Sequence, residues 1–247
     1  MKLYICENFK NAKWGKNITN DKKLSLVFAK KCICDFIEEK ERNIEIVFSK
    51  NEYGKPYAQD IYKISAKTKE EPEPEKTKID ISVYFSISHS EDMMVCAVAC
   101  FNIGVDCQKR IADHIERYKK IAGRFFSEKE NMMLDSILSL SADHSDNDDE
   151  TETEIEMKEQ KYINDFFKIW TKKEAYIKYT GKGLAEGMQT FSVTTAAKQK
   201  SYCGDVYFKR IYLSKVKKTN KSESNKFYIY LCYNKENKNI WRIKFFN

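Results

Sequence analysis

Proline is nearly absent from this chain of 247 residues, which has three, and glycine and histidine are scarce at eight and three. So little proline and glycine excludes collagen-like and linker-dominated architectures. No apolar run approaches the roughly 20 residues needed to span a bilayer. The longest, Met93 to Phe101, suits a buried strand. The opening residues Met1-Lys2-Leu3-Tyr4-Ile5-Cys6 read as a strand, without the long apolar stretch and small-residue cleavage site of a secretion signal, so a cytoplasmic protein is expected. No GxGxxG stretch, Walker loop or nucleophile elbow is present. The eight cysteines include no CxxC pair: one residue separates Cys32 from Cys34, and three separate Cys96 from Cys100. That spacing argues against the usual zinc arrangements, leaving a metal or disulfide role as the lesser alternative. Cys96, Cys100 and Cys232 lie in apolar runs, where reduced, buried thiols are expected.

What is present is a chain able to bury a core, as one large domain or two small ones, with 42% hydrophobic and 13% aromatic residues. The net charge of +7 is uneven. Residues 141–160 carry nine acids against Lys158 alone, a balance of −8, and taking that from +7 leaves +15 on the rest. A basic body favours polyanionic partners: nucleic acid, nucleotides or an acidic protein.

Two segments read as insertions. Residues 65–78 are charged, proline-bearing and free of large apolar side chains, which predicts a mobile loop. The acidic residues 141–160 make a poor core element. The remainder falls into two blocks, 1–102 and 103–247. The first has a strand at 2–6, a helix over about 21–40 capped by Asn20 or Asp21, and a strand at 44–49 followed by the turn Tyr53-Gly54-Lys55-Pro56. Strands at 82–88 and 93–100 then flank the polar turn His89-Ser90-Glu91-Asp92. The second has a strand at 103–107, helices over about 113–122, 127–140 and 162–180, the last ended by Gly181, and strands near 190–195, 204–213, 226–233 and 240–246. Strands and helices do not alternate regularly, so the fold class is α+β.

Three stretches carry candidate chemistry. In Gly104-Val105-Asp106-Cys107-Gln108, strand alternation puts Asp106 and Gln108 on one face and turns Val105 and Cys107 toward the core. Two oxygen donors at a strand end suit a hard cation such as Mg²⁺; the same pattern also fits an ordinary half-exposed strand. On the helix Trp170 to Lys178, Trp170, Glu174 and Lys178 lie one turn apart. They offer either a surface ion pair or a partly buried functional pair. Phe85-Ser86-Ile87-Ser88-His89-Ser90 ends in hydroxyls and an imidazole, which make either an anion site or a solvated turn.

Taken in order, these stretches resemble the signature of the 4′-phosphopantetheinyl transferase superfamily, in its longer, surfactin-synthetase-activating (Sfp) branch. Gly54-Lys55-Pro56 resembles its GKP turn, Phe85 to Ser90 its FNxSHS segment and Gly104-Val105-Asp106 its G(I/V)D strand. Arg124 to Glu130 is similar to RFFSxxE, Trp170 to Lys178 to WxxKEAxxK, and Gly181 to Leu184 to GKGL. The likeness covers roughly residues 44–195.

The resemblance implies a pseudodimer of two similar α+β halves, divided near residue 103, with coenzyme A in the cleft between them. It further implies Mg²⁺ (or Mn²⁺) held by Asp106, Glu174 and position 108. Lys178 and His89 would lie on the pyrophosphate and 3′-phosphate, and Lys55, Pro56, Ser88 and Lys173 at the nucleotide end. The implied reaction moves phosphopantetheine to a serine of an apo acyl or peptidyl carrier protein, with Asp106, Glu174 and Lys178 as its catalytic residues, a monomer doing the work and no nucleic acid or membrane involved. Two departures stand out. Gln108 occupies a position where the family often has Glu, and the N-terminus lacks the family's basic cluster, which leaves Lys23 as the candidate for gripping the 3′-phosphate. The rival readings are a non-catalytic relative that binds coenzyme A or a carrier protein, and a basic nucleic-acid-binding protein, for which no binding motif accompanies the charge.

Overall fold

The computed structural model describes residues 1–12, 14, 18, 20–65, 75–111, 113–139, 151–194, 206–213, 227–237 and 242–246. Among them, Lys2–Glu7 form β1, Asp21–Phe36 α1, Ile44–Lys50 β2, Pro56–Ile64 β3, Lys76–Lys78 β4, Tyr84–Ser90 β5 and Met93–Ala99 β6. The chain continues with β7 (Ile103–Lys109), α2 (Ile115–Phe125), α3 (Glu128–Ser139), α4 (Glu152–Thr180), β8 (Val206–Ile211), β9 (Phe227–Asn234) and β10 (Arg242–Phe246). Helices and three sheets are mixed, as the α+β reading expects. The sheets run β10-β1-β6-β5, β2-β3-β4 and β7-β9-β8.

Alternation along the strands makes the layers. Leu3, Ile5, Val95 and Ala97 of the first sheet share a core with Val105, Cys107, Ile229 and Leu231 of the third. On the far side of the first sheet, Tyr4, Cys6 and Cys96 pack against Leu24, Phe28 and Cys32 of α1. The far side of the third sheet, through Tyr228, Tyr230 and Cys232, packs with Tyr162, Phe166 and Ala175 of α4. Two sheets thus face each other with helices outside. Asn20 caps α1, its side chain accepting from the amides of Lys22 (2.9 Å) and Lys23 (3.1 Å).

Several expectations are corrected. The last strand does not stay in the second block: β10 pairs in parallel with β1. Buried on both faces, β1 needs a partner on each edge, and β6 supplies only one. The last helix, α4, begins at Glu152 rather than near 162; there Thr151 and Glu154 form a capping box and the first-turn acids complement the helix dipole. None of residues 152–160 is buried, as expected of a poor core element. Residues 141–150 of that acidic stretch lie outside the described residues, as do 66–74 of the loop expected at 65–78. The described end of that loop contains β4, paired to β3. α1 ends at Phe36, before Glu38 takes a left-handed φ of 61°. His89 and Ser90 belong to β5, so the turn shrinks to Glu91-Asp92. The strand expected near 190–195 is a 3-10 turn, Met188–Thr190, and irregular chain. Of the described cysteines, Cys6, Cys32, Cys34, Cys96, Cys107 and Cys232 are buried, whereas Cys100 is exposed just after β6. No helix among the described residues is long and apolar enough to cross a membrane.

Candidate active site

Asp106 sits at the centre of β7, 1% exposed, on the face turned toward α4. Its Oδ1 accepts from the Ser88 hydroxyl at 2.7 Å and from Lys178 Nζ at 2.6 Å, and its Oδ2 accepts from Gln108 Nε2 at 3.1 Å. Asp106 and Gln108 therefore do share a strand face, with Val105 and Cys107 in the opposite core. Helical spacing suggested that Lys178 would pair with Glu174; its ionic partner is instead Asp106, 72 residues away in sequence. Glu174 makes no hydrogen bond among the described residues. Burial raises its pKa above the ordinary value, the Asp106 charge raises it further, and Lys178 opposes both. Two carboxylates and one ammonium thus converge, with charge to spare on the acidic side.

Gly104 brings the helix to the strand. A Cβ there would lie 2.0 Å from the carbonyl oxygen of Ala175 and 2.6 Å from the amide nitrogen of Tyr179. Only a residue without a side chain permits this approach, which sets Glu174 and Lys178 over the strand position two residues on. β5 lies beside β7 without a backbone ladder. Alternate serines make the seam instead. The hydroxyls of Ser86, Ser88 and Ser90 accept the amides of Val105 (3.0 Å), Cys107 (3.3 Å) and Lys109 (2.9 Å). The SxSxS alternation was visible in the sequence, but its meaning depends on β7 being the neighbour.

These elements frame a cleft of about 420 Å³. Tyr53, Gly54, Lys55, Pro56 and Phe85 to Ile87 line one wall, from the first half of the chain. Glu174, Ile177, Lys178, Gly181, Gly183 and Leu184 line the other. Lys55 reaches across: its Nζ donates to the Tyr179 carbonyl at 3.4 Å and to Asn102 Oδ1 at 3.3 Å. Burial pushes its pKa down to about 8. A second cavity of about 630 Å³ adjoins the first, sharing Lys55, Pro56, Phe85 and Gly181.

The structure thus gathers Glu174, Lys178, Lys55 and Pro56 around the cleft. Ser88 and Gln108 bond to Asp106, which pairs with Lys178, but these three are not among the residues that line it. The structure does not bring Lys173 to the cleft. Lys173 is fully buried on another side of α4, where its Nζ meets Glu130 Oε2 at 2.7 Å and donates to the carbonyls of Met188 (2.7 Å) and Phe191 (2.6 Å). Glu130 in turn accepts from the amides of Ser127 (2.9 Å) and Val193 (2.7 Å). This satisfied buried pair anchors the segment after α4 to α3 and takes up the backbone groups that a strand near 190–195 would have used. His89 is exposed at the end of β5, its ring 5.7 Å from that of Phe9, and Lys23 is exposed at the start of α1. Neither lines the cleft. Trp170 packs with Phe125, Phe126 and Phe166.

The sequence profile of the 4′-phosphopantetheinyl transferase superfamily matches residues 102–232. The chain is 30% identical over 149 residues to the 4′-phosphopantetheinyl transferase gsp of Aneurinibacillus migulanus, covering 60% of this chain and 44% of that one. It is 31% identical over 149 residues to the 4′-phosphopantetheinyl transferase Sfp of Bacillus subtilis (strain 168), covering 60% and 47%. To the 4′-phosphopantetheinyl transferase HetI of Nostoc sp. it is 34% identical over 104 residues, covering 41% and 34%. The chain spans about half the length of the first curated relatives it matches. With the matched region running from the base of β7 through α4 to β9 and taking in Asp106, Glu174 and Lys178, the chain belongs to the 4′-phosphopantetheinyl transferase superfamily.

Proposed function

We propose that the chain moves 4′-phosphopantetheine from coenzyme A to a serine hydroxyl of an apo acyl or peptidyl carrier protein, releasing adenosine 3′,5′-bisphosphate. One observation supports this above the rest: Glu174 and Lys178 line a cleft large enough for a nucleotide end, and Lys178 is ion-paired to Asp106 buried behind that wall. Lys55 and Pro56 on the opposite wall hold the nucleotide. Lys178 neutralises the pyrophosphate oxygens, where charge builds as the bond to the departing phosphate breaks. The carrier serine attacks the β-phosphorus and gives its proton to Glu174, directly or through a water. A raised pKa suits Glu174 to that role. His89 and Lys23, outside the cleft's lining, are assigned to the 3′-phosphate. The two halves on either side of residue 103 act as a pseudodimer within a monomer, and the reaction is placed in the cytoplasm.

The donor set fits a divalent cation in part. Two carboxylates lie close together, Glu174 without a hydrogen-bond partner among the described residues, and after burial the Asp106 charge is the next cause of its raised pKa. Asp106 and Glu174 would hold Mg²⁺, or Mn²⁺ in its place, with the Gln108 amide oxygen as third donor. The ion would supply charge neutralisation at the pyrophosphate. The amide adds no negative charge, so affinity for the free ion is expected to be weak. The same residue favours the alternative, a non-catalytic binder of coenzyme A or a carrier protein.

Intact-mass spectrometry of a panel of apo carrier proteins, incubated with the chain, coenzyme A and Mg²⁺, separates the two. The proposal expects a phosphopantetheine-sized gain on at least one carrier, lost with EDTA. Coenzyme A binding without any gain would favour the binder.

A further inference from the structure

One side chain touches both walls of the cleft. The Oδ1 of Asn51 accepts the amides of Tyr53 (3.1 Å) and Lys55 (2.8 Å), and its Nδ2 donates to the carbonyl of Gly181 at 2.8 Å. The acceptor end organises the turn that presents Lys55 and Pro56, helped by the amide of Asn51 donating to the Lys55 carbonyl at 3.0 Å. The donor end takes a carbonyl beyond the last turn of α4, where no helical amide is available to pair with it. Gly181 is shaped for this contact: its φ is 76°, and a Cβ there would come within 3.1 Å of Asn51 Nδ2 and 3.0 Å of Lys55 Cδ. Asn102 braces the same helix end, donating to the Tyr179 carbonyl at 2.8 Å.

We infer that Asn51 is a positioning residue that sets the spacing between the cofactor-binding turn and the end of α4. The inference rests on the reading that the cleft holds coenzyme A. Glu174 and Lys178 are located by other means, the Gly104 approach and the Asp106 ion pair. Loosening the turn therefore changes how coenzyme A is held and leaves the chemical step in place.

The experiment is steady-state transfer to a carrier protein, together with calorimetric binding of coenzyme A, for Asn51→Asp and Asn51→Ala. Asn51→Asp keeps the turn acceptor but sets a carboxylate oxygen against the Gly181 carbonyl. It is expected to raise KM and Kd for coenzyme A about tenfold, with kcat within about twofold of wild type. Asn51→Ala, if it folds, loses both contacts and is expected to raise KM at least as much. A residue that merely supports the fold would lower kcat and melting temperature without this split. Wild-type KM in Asn51→Asp, or a fall in kcat at unchanged KM, overturns the inference while leaving the functional reading intact. A wild-type chain that binds no coenzyme A takes both down.

Discussion

Gly104 faces the carbonyl of Ala175 so closely that an added methyl carbon would stand 2.0 Å from that oxygen. The obstruction is backbone, which cannot swing aside, so Gly104→Ala must push α4 off β7. The expected cost is about 3 kcal/mol, at the upper end for overpacking, with loss of transfer activity as Glu174 and Lys178 leave Asp106. Thermal melting and the transfer assay check both. Wild-type activity in a stable Gly104→Ala protein would contradict the packing account.

Glu174→Gln is expected to abolish transfer while coenzyme A binding is retained, and to make the fold more stable at neutral pH. A carboxyl whose folded pKa lies above its ordinary 4.5 opposes folding once ionised. That penalty is absent below the ordinary value and complete above the folded pKa, so wild-type stability falls as pH rises through this window. The melting temperature of Glu174→Gln should exceed wild type at pH 7, and the gap should close on acidification. A gap that is constant with pH would contradict the assignment.

Much of this site was legible in the sequence, because periodicity reports which side chains share a face. Asp106 and Gln108 on β7, and Glu174 and Lys178 on α4, stand where period 2 and period 3.6 place them. Periodicity says nothing about which element lies opposite. Helical spacing allows a pair between Glu174 and Lys178, but the ammonium meets Asp106; Lys173, which only the family resemblance assigns to the nucleotide end, lies about 100° around the helix from Glu174 and meets Glu130. β3 goes unread because its alternation is polar and half-exposed; β10 is legible as a strand, but its pairing is not, because its partner is the first strand of the chain. Asn51 carries no signal at all until Gly181 is known to lie beside it.

Ser88 and Ser90 separate two roles. Ser88 donates to Asp106 and joins the seam between the sheets; Ser90 joins the seam only. Ser88→Ala is expected to lower kcat about tenfold through a misplaced Asp106, as fits one lost hydrogen bond to a charged group. Ser90→Ala should leave kcat within about twofold. If Ser88 instead contacts coenzyme A, as the family resemblance implies, Ser88→Ala will raise KM at unchanged kcat.

Lys55 gives the cleft a pH limit. With its pKa lowered to about 8, the ammonium is present below that pH and lost above it. The kcat/KM for coenzyme A, which reports the free enzyme, should fall as pH rises through about 8. Lys55→Arg stays charged and should move that fall to higher pH, even where its longer side chain lowers the plateau. An unchanged profile in Lys55→Arg would assign the limit to another group.

The most direct measurement is the anomalous difference map of crystals grown with coenzyme A and Mn²⁺. A peak shared by the carboxylates of Asp106 and Glu174, beside the cofactor's diphosphate, is the predicted result. Clear density for coenzyme A in the cleft with no peak between those two residues, or with Mn²⁺ bound elsewhere, would contradict the account.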